Sequence, residues 1–214
     1  MIFQRQNNQH DVTIKWSEQF VGAKNLVDLS QFCSDIILEI RYATDDNFVK
    51  RPIYESKKCY LHKNVVQALL KVQNHLKRRG LGLKVWDAYR PLWNQQMLWD
   101  FVQDERYVSH PGKGGRHTRG TAVDVTLVHF PGHQELVMPS GFDEFSEKAH
   151  RNFDRVSEEE KSNRKLLEDV MVSIGGFDPF PFEWWHFDFS AWQAYPPLNV
   201  SFSQLEMYES FFSS

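Results

Sequence analysis

Two short segments concentrate the side chains that could do chemistry. The first, GKGGRHTRGTAVDV, sets His117 in a glycine-rich loop ahead of Asp124, which lies on an apolar run. Period-two alternation puts Ala122 and Asp124 on one side of that run, with Thr121, Val123 and Val125 on the other. A carboxylate on a strand buried in this way is costly unless a positive charge answers it. A metal ion would do so, and so would Arg116 or Arg119. The glycines 112, 114, 115 and 120 do not make a phosphate cradle, because no Gly-Lys-Ser/Thr follows them at P-loop spacing. The second segment is EWWHFDF, residues 183–189. Pro179 and Pro181 precede it and exclude the helix that a His-Glu-x-x-His zinc site needs. Read as a strand, it carries Trp184, His186 and Asp188 on one side and Trp185, Phe187 and Phe189 on the core side. Glu183 stands at the strand mouth, where a turn or bulge could bring it to the His186 side. Alone, this segment would be an aromatic core strand with one hydrogen-bonded histidine.

Taken together, His117, Asp124 and His186 make a nitrogen, nitrogen, oxygen set suited to one zinc ion, with a fourth position open for water. An open position implies catalysis. Glu183 is then placed to take a proton from that water, whose pKa the metal lowers towards about 7. Arg90 follows a strand in WDAYRP, at the kind of strand end where loops build sites. By itself it reads as a surface arginine paired with a nearby carboxylate. Asp143, in MPSGFDEF, reads as an ordinary turn or cap residue.

The elements that must position these residues follow from periodicity and punctuation. Residues 36–41 (IILEIR) and 83–86 read as strands, as do 121–128 and 183–189. A helix starts at Leu61, with Val65, Leu69, Val72 and Leu76 inward, and stops at Gly80. A second opens at Pro91 and runs to about Asp104, with Met97, Leu98 and Phe101 inward. A third starts at a capping box of Ser157 and Glu160 and ends at Gly175 and Gly176. The final segment, YPPLNVSFSQLEMYESFF, reads as a tail packed on the sheet and ending in one helical turn. Helices at the front and back, with strands returning between them, predict an α+β domain whose sheet is mostly antiparallel and flanked by helices, with the metal site in a cleft on it.

The chain has 214 residues, 41% of them apolar, the size of one globular domain spanning 1–214. Its 25 Lys and Arg against 28 Asp and Glu give a charge of -3, which lacks the basic excess of a nucleic-acid reader. No apolar run approaches the roughly 18 residues of a membrane span. The N-terminus carries polar residues where a secretory leader has its apolar stretch, so the expected location is the cytoplasm. Cys33 and Cys59 are too few for a disulfide framework or a four-thiolate site and read as buried thiols.

The pattern His117-Thr-Arg-Gly-Thr-Ala-Val-Asp124, followed by Glu183-Trp-Trp-His186, resembles the VanX-type D-alanyl-D-alanine dipeptidases, zinc metallopeptidases related to D,D-carboxypeptidases. Further segments look like the family in the same order: Tyr42-Ala-Thr-Asp-Asp-Asn-Phe48, Trp86-Asp-Ala-Tyr-Arg-Pro91 and Phe142-Asp-Glu-Phe145. The resemblance covers about residues 36–205. It implies that His117, Asp124 and His186 hold zinc, that Glu183 is the general base and acid, and that Arg90 stabilises the tetrahedral intermediate. It also implies that Asp143, with the region of Tyr42, receives the free ammonium of a small dipeptide. One departure is Gly115, where the family usually carries a serine two residues before its first histidine ligand. That change bears on dipeptide affinity and preference and not on the zinc. The alternatives are a related D,D-carboxypeptidase or cell-wall endopeptidase, or a binding domain with a similar zinc site, as in Hedgehog signalling domains. Glu183 and Arg90 weigh against a purely binding role.

Overall fold

The computed structural model describes residues 22–212. Its centre is a five-stranded sheet of β2 (Ile37–Leu38), β4 (Leu81–Asp87), β5 (Ala122–His129), β7 (His186–Phe189) and β6 (Phe177–Pro179), in that spatial order. All neighbours are antiparallel except β2, which runs parallel to β4. A separate pair, β1 (Leu26–Asp28) and β3 (Tyr60–His62), is antiparallel. Four α-helices with both bounds among the described residues accompany these sheets: α1 (Lys63–Lys77), α2 (Leu92–Val102), α3 (Glu158–Ser173) and α4 (Phe202–Phe212). The fold is α+β with a mostly antiparallel sheet, as the order of patterns predicts. No helix among the described residues is long and apolar enough to cross a membrane.

Several boundaries differ from the sequence reading for identifiable reasons. Leu61 belongs to β3, and α1 begins after His62, whose Nδ1 accepts from the Asn64 N–H as a cap. Val65, Leu69, Val72 and Leu76 do point inward and are fully buried. Pro91 is the residue before α2 and not its first turn. The buried residues of α2 are Asn94, Gln95 and Leu98, while Phe101 is exposed and Met97 only partly covered. That helix packs Leu98 into the apolar core and also turns two amides inward, Asn94 to donate to the Ile53 carbonyl and Gln95 to reach Arg90 at the cleft. In residues 36–41 only Ile37 and Leu38 pair as a strand, and Arg41–Ala43 form a helical turn. The tail carries a helix of 11 residues, α4, in place of a single helical turn, and its Phe202 and Leu205 are buried. The capping box at Ser157 and Glu160 is present, with both reciprocal bonds. Cys59 is buried and Cys33 half-buried.

The two faces of β5 have separate tasks. Val123, Val125 and Leu127 join the apolar core, on which α1 and α3 pack. Strand alternation leaves Asp124 and Thr126 on the opposite face. The register pairs Asp124 with His186 on β7 and, across a bulge between Val85 and Asp87, with Asp87 on β4. Three ionisable side chains are therefore brought side by side in the middle of the sheet.

Candidate metal centre and active site

His117 opens a short helical turn, His117–Arg119, closed by Gly120 at φ +66°. A Cβ on Gly120 would stand 2.4 Å from Leu26 Cδ2 and 3.2 Å from the His62 backbone nitrogen, so this closure needs glycine on both conformational and steric grounds. The turn is clipped to the loop after β4, because the Arg90 N–H donates to the His117 carbonyl at 3.1 Å. Its imidazole Nδ1 donates to the Ala88 carbonyl at 2.7 Å. A carbonyl can only accept, so neutral His117 turns an unprotonated Nε2 to the sheet. His186 is wired in the opposite sense: Nε2 donates to Asp188 Oδ1 at 2.9 Å, which leaves Nδ1 as the free lone pair.

Those two lone pairs and one carboxylate oxygen converge. His117 Nε2 lies 3.2 Å from His186 Nδ1, and Asp124 Oδ1 lies 3.0 Å from His186 Nδ1 and 3.5 Å from His117 Nε2. These are the edges expected of a tetrahedron about 3.3 Å on a side, the size set by a cation bonded at roughly 2.0–2.1 Å. Three acceptors this close repel one another unless a positive species joins them. With no metal, a proton does so: burial disfavours the His186 imidazolium, but the Asp188 and Asp124 carboxylates outweigh it and hold the pKa up to about 10. Asp124 stays ionised well below the usual carboxylate range, because the two histidines overcome its burial. The residues present therefore fit a small metal ion, and all three candidate ligands are buried.

Glu183 precedes β7 in a tight turn, where the Trp184 N–H is tied to the Ala149 carbonyl and the His186 N–H to the Glu183 carbonyl. Its Oε2 is 3.8 Å from His186 Nδ1, on the metal side. Burial pushes its carboxyl well above the ordinary value, with Asp124 and Asp143 adding to the rise. Because the turn occupies 184–185, period-two alternation does not reach Trp184, and both tryptophans are buried.

Arg90 is not the surface residue its local sequence describes. It is 6% exposed and held at three nitrogens: by Asp87 Oδ2 at 2.5 Å, Gln95 Oε1 at 2.8 Å and the Tyr54 hydroxyl at 3.2 Å. Tyr54 in turn donates to Asp87 Oδ1 at 2.8 Å. Asp143 sits in a turn at φ +57° and accepts at Oδ1 from the Tyr42 hydroxyl at 3.1 Å. Its buried Oδ2 has no partner among the described residues. Burial raises the Asp143 carboxyl well above its usual value, as does the charge of Asp124. The Tyr42 ring lies under the Arg90 guanidinium at 5.1 Å, which joins these two parts of the cleft wall.

Neither arginine offered as a partner for Asp124 reaches it. Arg116 approaches Asp188 at 3.3 Å, and Arg119 donates to the Tyr195 and Gly114 carbonyls. Gly115 lines the cleft, and a Cβ there would meet Ser109 only at ordinary contact distance. Sequence reasoning assigned no role to Asp87, Tyr54, Gln95 or Asp188. Asp188 shares the His186 side of β7 by alternation and was visible as a candidate. Asp87 depends on the bulge, which has no local sequence signal.

Comparison with known proteins agrees with this geometry. The family model described as D-ala-D-ala dipeptidase, of the M15 peptidases, matches residues 22–205, so the match begins ahead of residue 36. The D-alanyl-D-alanine dipeptidase of Escherichia coli (strain K12) is 40% identical over 178 residues, covering 83% of this chain and 91% of its own. That of Enterococcus faecalis (strain ATCC 700802 / V583) is 29% identical over 195 residues, covering 82% and 96%. A solved vancomycin resistance D,D-pentapeptidase, VanY with Zn(II), aligns over 66% of this chain and 79% of its own at 16% identity. The TM-score of that alignment is 0.36. With nearly all of the described residues inside the family match and a metal-ligand cluster on the sheet, the chain belongs to the M15 peptidase family of D-ala-D-ala dipeptidases.

Proposed function

We propose that this protein hydrolyses D-alanyl-D-alanine to two molecules of D-alanine, using one zinc ion held by His117, Asp124 and His186. The observation that carries the reading is the convergence of two imidazole lone pairs, each fixed by a hydrogen bond from behind, with one buried carboxylate, on a chain of this family. When bound, zinc supplies a Lewis acid that polarises a carbonyl and acidifies water. Glu183 takes the proton from the attacking water and returns it to the leaving amine, a task suited to a carboxylate whose burial favours the protonated form. Arg90 uses three nitrogens to hold its own position and directs its remaining N–H donors at the negative charge that develops on the tetrahedral oxygen. The unpartnered Asp143 Oδ2 receives the substrate ammonium, with Tyr42 fixing the other oxygen.

The ammonium site makes the enzyme an exopeptidase. A blocked amino terminus leaves the buried Asp143 oxygen without a cation to answer it. The test is hydrolysis of D-alanyl-D-alanine beside its N-acetyl derivative and a pentapeptide ending in the same dipeptide, with zinc content measured on the same sample. Cleavage of the free dipeptide alone, by protein holding one zinc, is the expected result. Equal cleavage of free and acetylated substrates would remove the ammonium site and favour the carboxypeptidase reading.

A further inference from the structure

Contacts along the wall of the metal cleft give it a direction. Asp143 is bonded to the Tyr42 hydroxyl, and the Tyr42 ring lies 5.1 Å from the Arg90 guanidinium. Arg90 donates to Gln95 Oε1 at 2.8 Å, and Gln95 donates in turn to the Ser109 carbonyl at 2.7 Å. A dipeptide with its ammonium on Asp143 and its reacting carbonyl near Arg90 therefore runs its C-terminal residue toward Ser109 and Gly115. Both of these residues, with Glu105 and Arg116, also line a further cavity of about 360 Å³. Gly115 puts no side chain at the junction, where even a Cβ would stand 3.5 Å from Ser109 and 3.9 Å from Gln95 Oε1.

This cavity is cationic, opposite in sign to the Asp143 end of the cleft. Lys113, Arg116 and Arg119 line it against Glu105 alone, and Lys113 takes both Glu105 oxygens, at 2.6 and 2.7 Å. Two guanidiniums remain, packed on one Trp192 ring at 4.7 and 5.3 Å. Arg119 donates to the Tyr195 and Gly114 carbonyls and meets no carboxylate among the described residues. Arg116 meets Asp188 through Nε at 3.3 Å, but Asp188 does not line the cavity and its other oxygen holds His186. With a divalent ion on the three candidate ligands, the charges of Asp124 and Asp188 are matched there. Like charges gathered on one ring repel unless an anion joins them. The α-carboxylate of any dipeptide answers one guanidinium. The other, with most of the volume, is left for a side chain: a methyl fills little of it, and a basic group is repelled. We propose that this cavity receives the leaving residue and selects dipeptides whose C-terminal residue has an acidic side chain, its two carboxylates on Arg116 and Arg119 and its methylenes on Trp192. In such a substrate water gives its hydroxyl to the alanyl carbonyl carbon, the C–N bond breaks, and the proton goes to the amine of the released acidic amino acid.

The orientation of the substrate rests on the hydrolytic reading, so the test reads binding and turnover separately. Zinc-loaded Glu183→Gln protein is titrated calorimetrically with D-alanyl-D-glutamate, its amide isostere D-alanyl-D-glutamine and D-alanyl-D-alanine, and kcat/KM of the wild type is measured on the same three. The acid should bind at least about tenfold more tightly than the amide and be cleaved with a kcat/KM higher by a similar factor, the worth of a charge-assisted hydrogen bond. Arg119→Gln should bring the ratio of acid to amide close to one, whereas Arg119→Lys, which keeps the charge, should retain most of it. Should Arg119→Gln fail to fold, the same ratio in the wild type must shrink as sodium chloride is raised. Equal binding of acid and amide overturns the proposal, and so does a ratio that neither Arg119→Gln nor salt reduces. Acid selectivity in binding with no cleavage of any of the three would support the pocket and overturn the hydrolytic reading instead.

Discussion

Asp188 never touches the metal position, yet its replacement should be felt there first. Its Oδ1 accepts from His186 Nε2 at 2.9 Å, its Oδ2 faces Arg116 Nε at 3.3 Å, and the residue is 6% exposed. In Asp188→Asn one amide oxygen can still accept from Nε2–H, but the amide NH2 is then turned toward Arg116. If the amide flips instead, its NH2 meets Nε2–H and drives the proton to Nδ1, the nitrogen needed for the metal. A hydrogen bond to a charged group contributes about 1.5–3 kcal/mol and a neutral one about 0.5–1.5. The difference of roughly 1–1.5 kcal/mol is about tenfold in metal affinity, the lower end of what outer partners of metal ligands are worth. Asp188→Ala removes the acceptor and leaves a buried N–H unmatched, which moves the loss toward about a hundredfold. Competition for zinc against a chromophoric chelator gives all three affinities directly. The expected order is wild type, Asn, Ala, with fold retained by circular dichroism. Three equal affinities, or an Asn variant weaker than Ala, would refute the claim that this carboxylate selects the His186 tautomer.

Further outcomes follow from the same contacts. Glu183→Gln should keep zinc and fold while kcat falls by about 10²–10⁴, the range of a general acid and base; near-normal turnover in zinc-loaded protein would count against Glu183 as the proton carrier. Arg90→Lys keeps a charge for Asp87 but cannot also hold Gln95 and Tyr54, so kcat should drop by about 10² or more with little change in KM; a rise confined to KM would make Arg90 a ground-state binder. Tyr42→Phe removes a hydroxyl that lowers the Asp143 pKa, which burial already raises. Because only ionised Asp143 pairs with an ammonium, the acid limb of kcat/KM should move to higher pH; a shift to lower pH, or none, would contradict the pairing.

How much was legible in the sequence depends on how local each signal is. His117, Asp124 and His186 stand out because strand alternation and an intervening glycine loop are read over a few residues, and the capping box at Ser157 is equally local. Their assembly into one cluster rests on the register Asp124 to His186, a pairing between strands far apart in the chain. Arg90 looked exposed because its partners include Tyr54, which lies distant in sequence, and Asp87, which a bulge re-aims. The inward face of α2 was misread for a related reason. Helical periodicity finds apolar faces, and Asn94 and Gln95 are buried for the bonds they make to the Ile53 and Ser109 carbonyls and to Arg90. The small strands β1, β3 and β6 are three residues of ladder each, below the length at which alternation is visible.

Buried charges are poor evidence for stability, since taking them out of water costs about as much as their attraction returns. Their arrangement in this sheet follows that rule closely. The face carrying Val123, Val125 and Leu127 packs on the apolar core and supplies the stability. The opposite face carries Asp124 and, beside it in register, Asp87 and His186, where an apolar row would pack at lower cost. The neighbouring functional side chains are each oriented by a second residue: His117 by the Ala88 carbonyl, His186 by Asp188, and Arg90 by Tyr54 and Gln95. Fixed polar geometry of this kind does little for packing, and it is what the proposed chemistry asks of a cleft whose residues fit a metal ion.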